Sequence, residues 1–153
     1  MEDVYYKNYY EDWVKQFALN LKEIWKEDSA NELIKLQKSD IKNAIVIGRG
    51  PSLVKHDHLR LLAESNFSGK IICCDSILVK ALESGVTPDR FPDFYVTTVD
   101  TTEEQTKYYD HPIVDKFGKQ IKGIFSTVVF PETVERARRA GITRVQNQTL
   151  RIW

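Results

Sequence analysis

Hydrophobic and polar positions along the chain follow two different rhythms. From Tyr10 to Trp25 the apolar residues are Tyr10, Trp13, Val14, Phe17, Leu21, Ile24 and Trp25, the spacing of one face of an amphipathic helix. A stripe of that kind needs a surface to cover. Ser29-Ala30-Asn31-Glu32 has the form of a capping box, which predicts a break near Asp28 and a second short helix carrying Leu33, Ile34 and Leu36. After Lys42 the pattern changes to short β-branched runs separated by helix-compatible stretches. Strands are predicted at Ala44–Ile47, Ile71–Cys74, Phe94–Thr97 and Ile124–Val129, with a fifth over Ile142–Val145. Helices are predicted over Ser52–Ser65, Ser76–Ser84, Thr101–Phe117 and Glu132–Ala140. Strand and helix in alternation mean an α/β fold, a mostly parallel sheet of about five strands with helices on both faces. Residues 1–40 then form a helical N-terminal extension and residues 41–153 the α/β domain. In such sheets ligands gather at the carboxyl ends of the strands, where the winding reverses.

Composition narrows the partners. The 22 basic and 22 acidic side chains cancel, so no broad positive field favours a nucleic acid or an anionic membrane, and any phosphate recognition must be local. A chain of 153 residues buries roughly two-thirds of its unfolded surface and needs no disulfide or structural metal. Cys73 and Cys74 are adjacent in an apolar run, which fits a reducing compartment and excludes a four-cysteine zinc site. No stretch approaches the roughly 18 apolar residues of a membrane span. The expected location is the cytoplasm. The aromatic lead, with Tyr5, Tyr6, Tyr9, Tyr10, Trp13 and Trp25, reads as a packing surface for the sheet or for a second subunit in a homodimer.

The predicted strand ends carry the candidate chemistry. Gly48-Arg49-Gly50-Pro51-Ser52-Leu53 follows the first strand; its glycines let backbone approach a ligand, and proline suits the first turn of a helix. The N–H groups of this loop and of Ser52 and Leu53 form a candidate phosphate cradle, to which Arg49 adds a charged fork. An ordinary strand-to-helix turn is the competing reading. The sequence lacks the Gly-Lys-Ser/Thr ending of a P-loop and the third small residue of the dinucleotide fingerprint. Asp75-Ser76 ends the second strand, placed either to contact a ribose or to cap the next helix. Thr98 and Asp100 end the third, where an extended backbone turns both to one side, suited to hydrated magnesium or a ribose; a helix cap explains Asp100 equally well. His56-Asp57-His58, the two cysteines, His111 and the basic set Arg136, Arg138, Arg139 and Arg144 read as packing or solvated positions.

Taken in order, Ile47-Gly48-Arg49-Gly50-Pro51-Ser52-Leu53, then Cys74-Asp75-Ser76 with Leu82-Glu83-Ser84-Gly85-Val86-Thr87-Pro88, then Pro92-Asp93-Phe94-Tyr95-Val96-Thr97-Thr98-Val99-Asp100, resemble the 6-hydroxymethylpterin diphosphokinase MptE-like family. The resemblance spans about Ala44 to Asp100 and implies a Rossmann-like domain, shared with motility accessory factors that resemble sialyltransferases. It implies a transferase acting on a small-molecule nucleotide and an acceptor. In the pyrophosphokinase branch the donor is ATP, Gly48, Arg49, Gly50, Pro51 and Ser52 cradle its phosphates, and Asp75, Ser76 and Thr98 face nucleoside or acceptor. Asp100 then holds Mg²⁺, with Asp93 assisting through water. In the glycosyltransferase branch the donor is a nucleotide-sugar. A non-catalytic nucleotide-binding module is the third reading. Thr98 stands where the pyrophosphokinase branch carries the first of two aspartates, and Thr101 where it carries glycine. A neutral hydroxyl is a weaker magnesium ligand than a carboxylate, whereas the glycosyltransferase branch accommodates a single acid there.

Overall fold

A computed structural model describes residues 2–26 and 43–146, with side chains described over 9–26 and 43–143. Helix α1 spans Glu2–Ile24, as the apolar stripe predicts. The capping box at Ser29 and the short helix after it lie outside the described residues. Strands β1 (Ala44–Ile47), β2 (Lys70–Cys74), β3 (Phe94–Thr98), β4 (Ile121–Phe125) and β5 (Thr143–Gln146) pair in that order, each parallel to its neighbour. The crossovers are α2 (Ser52–Lys55) with α3 (His58–Glu64), α4 (Asp75–Glu83), a 3-10 helix (Glu103–Tyr108) with α5 (Pro112–Phe117), and α6 (Pro131–Arg139).

This order never reverses. Parallel crossovers are right-handed in nearly all proteins, so stepping one strand at a time in one direction stacks the connecting helices on a single face. Burial agrees: Ile47, Ile71, Cys73, Phe94, Val96, Ile121 and Phe125 join Leu59, Leu78, Ala81, Val114, Val134 and Ala137 in one core. On the opposite face Val46 is 71% exposed, while Ile72, Cys74 and Ile124 are half-buried. The described crossover helices thus share one face, the other face keeps Tyr95 buried, and winding does not reverse among the described strands. Apolar runs in β1 and β2 resemble strands buried on both sides, but β1 is an edge strand and its outer face meets solvent.

Two element boundaries also differ from the sequence reading. The helix predicted over Ser52–Ser65 breaks at His56–Asp57, where Asp57 adopts a left-handed conformation at φ 52°. That break places the His56 and His58 rings in a stack with centroids 5.5 Å apart, although an unbroken helix would hold them on different faces. The fourth strand is Ile121–Phe125 rather than Ile124–Val129, because Ile121, Gly123 and Phe125 sit opposite Phe94, Val96 and Thr98 with their side chains toward the core. Thr127, Val128 and Val129 are buried in the loop that follows.

That loop is where α1 docks. Asn20 donates through Nδ2 to the carbonyl oxygens of Thr127 at 3.1 Å and Val129 at 2.7 Å. Glu23 pairs with Arg138 of α6 at 3.1 Å, and Gln16 and Ile24 are buried on the same side of α1. Arg136 forks onto Asp115 and reaches Asp110, and Arg139 pairs with Glu135, so the basic residues of α6 brace the fold.

Candidate functional site at the carboxyl end of the sheet

The glycine loop leaves β1 exposed from Gly48 through Ser52. A Cβ added at Gly48 would meet nothing within 4 Å, and one at Gly50 would meet only the Ser52 hydroxyl at 3.7 Å. The bend is therefore open rather than plugged. Two details change the expected cradle. The Leu53 N–H already donates to the Gly50 carbonyl at 3.1 Å, and α2 ends after a single turn, so neither that amide nor a long helix dipole is available to an anion. What remains for an anion is the loop itself, the Ser52 hydroxyl and Arg49.

Arg49 reaches sideways. Its Nη1 donates to the Tyr108 Oη at 2.9 Å, and its guanidinium lies 5.9 Å from the centre of the Tyr108 ring. Tyr108 follows β3, two strands away, and neighbouring strands lie about 4.8 Å apart. The arginine therefore spans the carboxyl end of β2, where Asp75 and Ser76 open α4.

Asp75 is 8% exposed, unusual for a carboxylate. Its Oδ1 accepts the Ser76 N–H at 2.6 Å. Burial pushes its carboxyl above the ordinary range; the Ser76 amide and Thr98 hydroxyl oppose the rise, and the charge of Asp100 adds to it. Asp75 and Asp100 thus feel one another, as expected for acids ending adjacent strands. The helix-cap reading of Asp75 does not hold in its simple form, since it sits in the first turn of α4 and no side chain caps that helix.

Thr98 is not at the mouth. It continues the core-facing series Phe94, Val96, Thr98, is 1% exposed, and shares a 2.6 Å hydrogen bond with the Tyr109 Oη. The expectation that Thr98 and Asp100 present a joint ligand face is corrected: Thr98 supports Asp75 from below, while Asp100 lies beyond the strand and is exposed. Asp100 accepts the Thr102 N–H at 3.2 Å through Oδ1 and the Gln105 amide at 3.0 Å through Oδ2, so part of its role is to order the turn into the 3-10 helix.

Asp93 is not part of this group. It precedes β3 at its amino end and accepts from Lys122 Nζ at 3.1 Å. At about 3.3 Å per residue, a five-residue strand separates it from Asp100 by more than 15 Å. Its expected share in metal binding is corrected on that ground. Among the described residues, no group of three or more His, Cys, Asp and Glu side chains is placed to hold a metal ion. Cys73 is inert, its thiol pushed far up by burial.

Beside the loop lies a cleft of about 440 Å³ along the open edge of β1. It is lined by Ile45, Val46, Ile47, Leu53, Leu59 and Leu62 together with Gly48, Gly50, Ser52 and His58. A mostly apolar slot with a few polar groups suits a flat ring joined to an anionic tail. Sequence reasoning missed Tyr108, Tyr109 and His58. The adjacent tyrosines after a Thr-Thr-Glu-Glu start were a usable signal; the edge position of His58 depended on the helix break and was not.

No helix among the described residues is long and apolar enough to cross a membrane. No curated protein and no solved structure matches the chain. A family model, 6-hydroxymethylpterin diphosphokinase MptE-like, matches residues 15–152, from the second half of α1 to nearly the last residue. With that span covering the glycine loop, both carboxylates and the docking half of α1, the chain belongs to the MptE-like family.

Proposed function

We propose that this protein is a nucleotide-dependent transferase whose donor lies with its phosphates on the Gly48–Ser52 loop and its reacting end toward Asp75 and Asp100. The observation that carries the reading is the pairing of an open, unplugged glycine bend with a buried carboxylate, Asp75, immediately after the adjacent strand. In the form favoured here the donor is ATP and the acceptor a pterin-type alcohol such as 6-hydroxymethyl-7,8-dihydropterin. The alcohol oxygen bonds to the β-phosphorus, the bond from that phosphorus to the α-phosphate oxygen breaks, and AMP leaves.

Each residue has a separate task. Arg49 places its charge over the phosphates as it now places it over β2, a role matched to oxyanions by its planar fork. Asp75, held by Ser76 and backed by Thr98, orients the acceptor hydroxyl and takes its proton as the new bond forms. The cleft along β1 excludes water from one side of the flat ring. Asp100, the exposed carboxylate at this strand end, would hold Mg²⁺ largely through water, which leaves Asp75 free to take the proton. That ion supplies neutralisation of phosphate charge. Most of the acceleration then comes from positioning and electrostatics, since this transfer asks little covalent help of the protein.

A nucleotide-sugar donor is the second reading. It is favoured by Thr98, whose hydroxyl is committed to Tyr109 and leaves the third motif with one exposed acid. Incubation with ATP, Mg²⁺ and the reduced pterin alcohol should release AMP in proportion to pterin diphosphate. Folded protein that releases none, but hydrolyses or transfers from a CMP-sugar, replaces the first reading with the second.

A further inference from the structure

Helix α1 docks by the side that carries Gln16, Asn20 and Ile24, which is buried against the body and anchored by hydrogen bonds from Asn20 to the loop after β4. Its aromatic side faces out: Tyr10 is 64%, Trp13 49%, Val14 51%, Phe17 40%, Leu21 37% and Trp25 80% exposed. With about 150–250 Å² available from each large ring, the exposed share comes to roughly 600–700 Å² in one strip. That exceeds the usual largest apolar patch on a monomer, about 300–600 Å². It approaches the about 800 Å² that each partner gives to a stable complex.

We propose that this strip is covered by the same strip of a second copy of this chain, the two α1 helices lying antiparallel about a two-fold axis near Phe17. The stripe runs Tyr10, Val14, Phe17, Leu21, with steps of four, three and four residues, the seam spacing of paired helices. With Trp25 included the strip is centred beside Phe17, so a two-fold there brings the Phe17 residues of the two copies together and sets Val14 against Leu21 and Tyr10 against Trp25. The flanking charges select the antiparallel arrangement. Glu11 and Lys22 flank the stripe on the same side, one near each end, so antiparallel helices bring Glu11 beside Lys22 of the other copy. Parallel helices would set like charges together. A self-complementary patch of this kind is what a two-fold dimer requires.

This assignment is independent of the transferase reading, because the strip lies on α1 and the candidate site lies at the strand ends. Sedimentation velocity on the full chain across about 1–100 μM, the range in which such interfaces dissociate, should show a monomer–dimer equilibrium. Phe17→Glu should raise the dimer dissociation constant at least tenfold with an unchanged helix content by circular dichroism. Leu19→Glu, exposed on α1 but off the stripe, should leave it unchanged. Glu11→Lys and Lys22→Glu should each weaken the dimer, and the double swap should restore it. A protein that stays monomeric throughout, a dimer indifferent to Phe17→Glu, or a swap that does not restore association overturns the proposal. So does a monomer that instead binds phosphatidylcholine–phosphatidylserine vesicles through Trp13 and Trp25, which would assign the strip to a lipid surface.

Discussion

The two ends of β3 hold aspartates in opposite circumstances. At the amino end Asp93 meets Lys122 at 3.1 Å, both partly exposed, and the charge is cancelled where water also helps. At the carboxyl end Asp75, just past the neighbouring strand β2, is buried; burial raises its carboxyl, and the charge of Asp100 adds to the rise. Surface ion pairs such as the first contribute about 0–1 kcal/mol and are common. A buried acid near a second acid is costly and is found where a proton, a cation or a ligand completes the set. The contrast favours the carboxyl end as the candidate site on grounds other than motif.

Several experiments widen or close that contrast. The largest effect is expected from Asp75→Asn and Asp100→Asn, each lowering transferase turnover by about 100-fold or more, some 2.7 kcal/mol of transition-state stabilisation. Asp93→Asn should leave turnover within about twofold, and equal losses at both ends would erase the distinction. Next comes Gly48→Val. The added side chain enters open space, so the melting temperature should hold, yet it occupies the place assigned to phosphate and should weaken nucleotide binding at least tenfold, about 1.4 kcal/mol. Arg49→Ala should follow with a loss of roughly three- to tenfold in affinity and a shallower dependence on salt.

Stability against pH gives a smaller but independent reading. Because burial raises the Asp75 carboxyl above its unfolded value, the folded state holds that proton more tightly. The contribution of Asp75 to stability is therefore greatest below its unfolded pKa and is lost as pH rises through the raised folded one. Asp75→Asn should flatten this fall and melt higher than wild type at pH 7, with the advantage shrinking toward pH 4; an advantage that grows on acidification would reverse the assigned sign. The smallest effect is expected from Lys122→Met, which removes one partner of a half-exposed pair and should cost no more than about 1 kcal/mol in a denaturation series.

Much of this was legible in the sequence, and the failures share a cause. Strands β1, β2 and β3 and helices α4 and α6 followed from local periodicity, and the glycine loop, Asp75 and Asp100 from their places after strands. What local pattern does not encode is order and facing. Strand order decided that the described crossover helices share one side and that β1 is an edge. Pairing with β3 decided that β4 begins at Ile121 and that Thr98 points into the core toward Tyr109. The aromatic stripe of α1 was plain, but its outward orientation depends on Asn20 finding two carbonyls more than a hundred residues away. Asp93 was drawn into the site by nearness in sequence to Asp100, although a whole strand separates them in space.

The central claim is that the open bend after β1 receives the anionic part of a nucleotide. Calorimetric titration of ATP with Mg²⁺, and separately of a CMP-sugar, into wild type and Gly48→Val tests it most directly. The account predicts saturable binding of one of these donors to wild type and its loss in the variant at unchanged melting temperature. Equal binding by both proteins, or no binding of either donor to folded wild type, contradicts it.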